Sequence, residues 1–174
     1  MIDLNYRFFS ILFIFLIPFF AFNQIKSNYT LKILGVVQDG GMPHLGNNKT
    51  CCENIKKDKY VTSLMLMNNE NNESFLFDAS PDINKQLNFM GDRIKKDLKG
   101  IFLTHAHIGH YTGLMYFGRE ALGSKDLKVN VLPKMANFLK TNGPWSQLVE
   151  INNIKIQEIN FDQKTNHLSN ISVT

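Results

Sequence analysis

Behind a long apolar opening, hydrophobic and polar residues alternate in short runs, a pattern that predicts strands separated by turns. "LKILGVVQDGG" predicts a strand over Leu31–Val37 that enters a glycine-rich turn at Asp39-Gly40-Gly41. The next stretch, "MPHLGNNKTCCENIKK", is rich in Pro, Gly and Asn and reads as a loop. "YVTSLMLMNN" and "SFLFDAS" are strand-like runs on either side of the polar "NNENNE", the expected sequence of a hairpin.

Ser80-Pro81-Asp82 predicts a helix start, with Ser as N-cap, Pro where no N–H is needed and Asp complementing the dipole. That helix is expected to reach Met90 and stop at Gly91. "GIFLTHAH" then gives a buried strand, Ile101–Thr104. From Tyr111 on, Leu114, Phe117, Gly118, Ala121 and Leu122 recur at helical spacing, with Gly123 as the residue that ends the helix. "LKVNVL" reads as a strand, Pro133 opens a helix through Lys140, and "LVEINNIKIQEINF" reads as a hairpin turning at Asn152-Asn153. The last four residues look like the start of a strand. Strands and helices in this order predict an α/β protein with a mixed sheet. A chain that ends inside a strand raises the expectation of a C-terminally truncated domain over residues 26–174.

The opening block changes the picture of where the protein works. "FFSILFIFLIPFFAF", Phe8–Phe22, follows Arg7 and has the length of a signal-peptide core, short for a spanning helix. Residues 1–25 are therefore expected to be a signal peptide or an N-terminal anchor, and the protein to be exported, periplasmic or secreted. Ala21-Phe22-Asn23 is a poor cleavage site, so the anchor stays open, and any membrane contact runs through this segment alone. The 174 residues otherwise suit one domain. The formal charge of +4 lies on the mature part, because residues 1–25 hold one cation, Arg7, and one anion, Asp3. Its basic residues sit in short clusters such as Lys56-Lys57 and Lys95-Lys96 without interleaved aromatics, which reads as a solvated face and not as a nucleic-acid groove, and a small-molecule substrate is the expected partner. The only cysteines, Cys51 and Cys52, are adjacent and cannot staple separate segments.

The candidate chemistry lies in "THAHIGH", where three of the five histidines fall within six positions behind a buried strand. Residues two apart in an extended segment project to one side, so His105 and His107 can present imidazoles to one point while His110 reaches a neighbouring one. Zinc suits imidazole nitrogens at about 2.0–2.1 Å, and a catalytic site keeps a position open for water whose pKa falls to about 7. A lone strand histidine is an ordinary polar residue, but three so close would crowd without a metal.

"THAHIGH" resembles the His-x-His-x-Asp-His signature of the metallo-β-lactamase superfamily, and "ILGVVQDGGMPH", "HIGHYTGL" and "GREALG" resemble its branch related to the pyrroloquinoline quinone biosynthesis protein B. The likeness runs from about Lys32 to Asn130. It implies a four-layer αββα sandwich of two similar halves, of which this chain supplies roughly the first. His105 and His107 then match the ligands of the first metal, His110 that of the second, and Asp78 the acidic residue supporting the site from behind. Gly109 stands where the family has an Asp that binds the second metal and orients the attacking water. One or two zinc ions are implied, the second held weakly, with iron as the alternative. A turn residue with positive φ is the other reading of Gly109, and an ordinary strand-end carboxylate that of Asp78.

Relatives in this branch often carry an extra Cys-containing zinc loop, the region of His44, Cys51 and Cys52, but Asn47 stands where one thiol belongs. His167 is the only downstream histidine and reads as a surface residue in a polar loop. The expected activity is that of a zinc-dependent hydrolase. The alternatives are an oxidase or hydroxylase role in quinone cofactor synthesis, and a non-catalytic metal-binding protein that lost the motif Asp.

Overall fold

In the computed structural model, residues 27–46, 59–160, 165–168 and 171–173 are described. The N-terminal block, Cys51 and Cys52 lie outside them. Six strands form one sheet in chain order. They are β1 (Tyr29–Gly35), β2 (Ser63–Asn68), β3 (Ser74–Phe77), β4 (Leu98–Phe102), β5 (Leu127–Val131) and β6 (Ile154–Glu158). The β1–β2 and β2–β3 pairs are antiparallel, with Leu66 opposite Leu31 and Phe75. From β3 to β6 every pair is parallel. The mixed sheet expected from the sequence is therefore present, with the β2–β3 hairpin as read. Two further strands, β7 (Thr165–Leu168) and β8 (Ile171–Val173), pair with each other antiparallel.

Alternation along each strand sorts the side chains. One face carries Met65, Leu76, Ile101 and Val129, all fully buried against Leu114, Phe117, Ala136 and Leu139. Each such Leu or Phe contributes about 1.5–3 kcal/mol of burial. The other face carries Leu66, Phe75, Phe77 and Phe102, with the Phe77 and Phe102 rings stacked at 5.2 Å. It also carries Leu31 and Ile33, 60% and 65% exposed.

Several boundaries differ from the sequence reading. Helix α1 spans Ile83–Leu87, because Asp82 is the cap residue and its carboxylate is drawn away to the Val61 N–H at 2.9 Å. Ser80 still accepts from the Asp82 N–H, at 3.1 Å, while its hydroxyl donates to Gln86. Gly91, at φ 53, interrupts the turn that follows, and a short helix, α2 (Ile94–Asp97), comes after it. The segment after the histidines is one α-helical turn, α3 (Ile108–Tyr111), continuing as 3-10 helix through Phe117. Pro133 opens α4 (Pro133–Thr141) as expected.

The hairpin expected over "LVEINNIKIQEINF" is absent. Trp145–Glu150 is helix α5, and β6 runs parallel to β5. Parallel neighbours need a crossover, which α4 and α5 supply. Asn152, at φ 58, ends α5 in the left-handed conformation common after helices. His167, placed in a loop from sequence, lies within β7. No helix among the described residues is long and apolar enough to cross a membrane.

Candidate metal centre

Because β1 and β3 point the same way and β3 is parallel to β4, the carboxyl ends of all three strands lie at one edge of the sheet. Every residue of the site leaves one of these ends. Asp39 sits in the turn after β1, Asp78 directly follows β3, and Thr104 to His110 follow β4.

Asp78 is the buried anchor, 4% exposed, in the left-handed region at φ 66 that Asp tolerates better than most residues. Its carboxylate accepts the Thr104 N–H at 2.8 Å and the Thr104 hydroxyl at 2.8 and 3.0 Å. Its Oδ2 also lies 2.8 Å from His110 Nδ1. Since a carboxylate only accepts, His110 donates from Nδ1 and turns Nε2 outward. The Thr104 proton is committed to Asp78, so its oxygen accepts from His105 Nδ1 at 2.9 Å. His105 therefore also presents Nε2. Two imidazoles are thus held with the same nitrogen facing the site, the arrangement by which an outer carboxylate or hydroxyl fixes a metal-binding tautomer.

Asp39 completes the group. Its Oδ1 lies 2.9 Å from His110 Nε2. One donor atom each from Asp39, His105 and His110 falls within 4.8 Å of the others. A lone pair on Nε2 facing a carboxylate oxygen requires a proton or a cation between them, so the donor set fits a metal ion. His107 lies at the rim, its Nδ1 3.0 Å from His105 Nε2 and 3.3 Å from Asp39 Oδ2. The three motif histidines are gathered, with ring centroids of His105 lying 4.5 Å from His107 and 3.9 Å from His110, but the donor group joins His105 to His110 and Asp39, where the sequence paired His105 with His107. Sequence reading missed Asp39. The one signal available was a lone acid in the glycine-rich turn behind a strand, 71 residues from His110.

The turn that carries the histidines is pinned to the end of β3. Ala79 N–H donates to the His110 carbonyl at 2.8 Å, and Gly113 N–H donates to the Ala79 carbonyl at 2.9 Å. A Cβ at Gly113 would lie 2.1 Å from the Ser80 carbonyl oxygen, so only glycine permits this approach. From the other side, Tyr111 packs on Trp145 at 5.0 Å and on Phe138 at 5.7 Å, tying the turn to α4 and α5.

Gly109 lies inside α3 and is not among the residues with positive φ, so a demand for left-handed backbone does not explain it. His44 makes a local bond from Nδ1 to the Leu45 carbonyl at 3.1 Å. The extra metal loop expected around Cys51 and Cys52 lies outside the described residues.

The comparisons place the fold. The beta-lactamase superfamily domain matches residues 73–174, and the chain belongs to that superfamily. Among solved structures, it is similar to Zn(2+)-bound PqqB from Methylobacterium extorquens, with TM-score 0.71 and 18% identity over 84% of this chain and 54% of that one. It is also similar to a diphosphatase from the PhnP family, with TM-score 0.62 and 21% identity over 83% of this chain and 54% of that one. The architecture is that of the metallo-β-lactamase fold, and the chain spans about half the length of these structures. No curated protein matches the sequence at a significant level.

Proposed function

We propose that this protein is an exported, zinc-dependent hydrolase acting on a small-molecule substrate with a carbonyl or phosphoryl centre. The observation that carries the reading is the convergence of Asp39, His105 and His110, with Asp78 and Thr104 fixing both imidazoles from behind. A bound zinc supplies Lewis acidity and a source of hydroxide near neutral pH.

The chain's own groups do the rest. Asp78 and Thr104 keep the two Nε2 atoms aimed at one point, so little reorganisation is needed there. Asp39, about one-third exposed, directs Oδ1 toward His110 and Oδ2 toward His107, which suits it to accept a proton from an attacking water. A cleft of about 270 Å³ opens beside Asp39, lined by Met42, Tyr60, Val61, Asp82 and Lys85, and offers room for a substrate. A larger cavity, lined by Lys95, Lys96, Lys99 and Lys128, opens at the opposite end of the parallel strands, away from this chemistry. The apolar Phe8–Phe22 block behind Arg7 supports export.

The test is to purify the natural full-length protein, measure its metals by mass spectrometry, and assay ester, lactam and phosphodiester substrates before and after chelation. Zinc with chelator-sensitive hydrolysis is expected. Iron with oxygen uptake would replace hydrolysis by the oxidative reading, and bound metal without turnover by a binding role. Intact mass, showing whether residues near 1–25 are removed, tests export separately.

A further inference from the structure

The motif that "THAHIGH" resembles implies a carboxylate where this chain has Gly109, and the local geometry shows what fills that space. A Cβ built on Gly109 would lie 2.7 Å from Asp39 Cα, 2.8 Å from Asp39 Cβ and 3.0 Å from Asp39 Oδ1. These distances are too short for any side chain at 109 while Asp39 is in place. They place the Asp39 side chain in the volume that a side chain at 109 would enter. Two further observations show that Asp39 is directed into the site. Its Oδ1 sits 2.9 Å from the outward-facing Nε2 of His110, and its Oδ2 sits 3.3 Å from His107 Nδ1.

We propose that the metal-site carboxylate has moved from position 109 to Asp39, and that residue 109 is glycine because Asp39 occupies its side-chain volume. Gly109 is then the steric partner of a relocated ligand, and the site retains its acid. The inference rests on the reading of this site as a metal centre, though the steric half of it does not.

The experiment is a reciprocal exchange in the full-length protein, read by Zn²⁺ affinity and stoichiometry and by thermal unfolding of the metal-free form. Asp39→Ala is expected to weaken Zn²⁺ binding by at least the roughly 10–100-fold that loss of an outer partner alone costs. Gly109→Asp, forced against Asp39, is expected to lower the unfolding midpoint. Joining it with Asp39→Gly is expected to restore the midpoint and most of the Zn²⁺ affinity lost in Asp39→Gly. Gly109→Ala carries the steric test if Gly109→Asp does not fold: its loss of midpoint should largely vanish in the Asp39→Gly background. Wild-type Zn²⁺ binding by Asp39→Ala, an absence of Zn²⁺ binding by the wild type, or additive midpoint losses in the double variants would each overturn the proposal. Asp39-dependent Zn²⁺ binding without turnover would leave it standing and overturn the hydrolase reading alone. Turnover and binding indifferent to Asp39 would do the reverse.

Discussion

Asp78 holds two imidazoles in register without itself joining the converging donors, one directly and one through Thr104. Asparagine at this position keeps the size and tolerates φ 66 equally well, so Asp78→Asn isolates the charge and the second acceptor. One oxygen becomes an NH₂ that faces either His110 Nδ1–H or the Thr104 donors, and one of those buried groups loses its acceptor. Zn²⁺ affinity is expected to fall about 10–100-fold, measured by competition with a chromophoric chelator. Denaturation of the metal-free protein should show a loss of about 1–3 kcal/mol, the cost of an unsatisfied buried group. Unchanged Zn²⁺ affinity would mean that His110 needs no partner behind it. At this scale the sequence was informative where a local pattern existed: the clustered histidines of "THAHIGH", and Asp78 behind the strand in "FLFDAS", stood out as candidates. Asp39 did not, because its role arises only when the turn after β1 folds against α3, and nothing local in "VVQDGG" encodes that contact.

Between elements, the site depends on how closely the histidine turn approaches β3. Gly113 sets that distance, with its N–H on the Ala79 carbonyl and its missing Cβ 2.1 Å from the Ser80 oxygen. Gly113→Ala must push the turn outward and take His110 away from Asp78. A stability loss of about 1–3 kcal/mol is expected from the overpacking, together with weaker Zn²⁺ binding. Urea unfolding and metal titration of one preparation check both, and stability lost with Zn²⁺ affinity intact would uncouple the turn from the site. The strands were legible because alternation survives in "LKILG", "SLMLMN" and "LKVNV". Helix α5 was not, since Leu148, Val149 and Ile151 are too few to separate a strand's period from a helix's, and the parallel pairing of β5 with β6 decided the matter. Helix α1 started late for a similar reason, its expected first residues being bound to Val61 and Gln86 through tertiary contacts.

For the molecule as a whole, helices among the described residues cover one face of the sheet, and the other is apolar from β1 to β4 but carries Lys128, Asn130, Lys155 and Gln157 on β5 and β6. On the other, Leu31 and Ile33 stand at 60% and 65% exposure in line with Leu66, Phe75, Phe77 and Phe102. Scattered apolar residues on a surface need no explanation, but a contiguous patch with stacked aromatic rings does. Sheets solvated on one face carry polar residues there, as β5 and β6 do, whereas strands packed on both faces read as β2 to β4 do. The chain spans about half the length of the solved structures it resembles. If the face is covered in the full-length protein, Leu31→Lys with Ile33→Lys should lower stability by well over 1 kcal/mol, since two aliphatic side chains lose about 1.5–3 kcal/mol each of burial, and dye binding to exposed apolar surface should rise. If the face is open to water, the same pair of substitutions should stay within about 0.5 kcal/mol of the parent. Thermal unfolding of the paired variant therefore reads directly whether this sheet forms one layer of a sandwich or an outer wall.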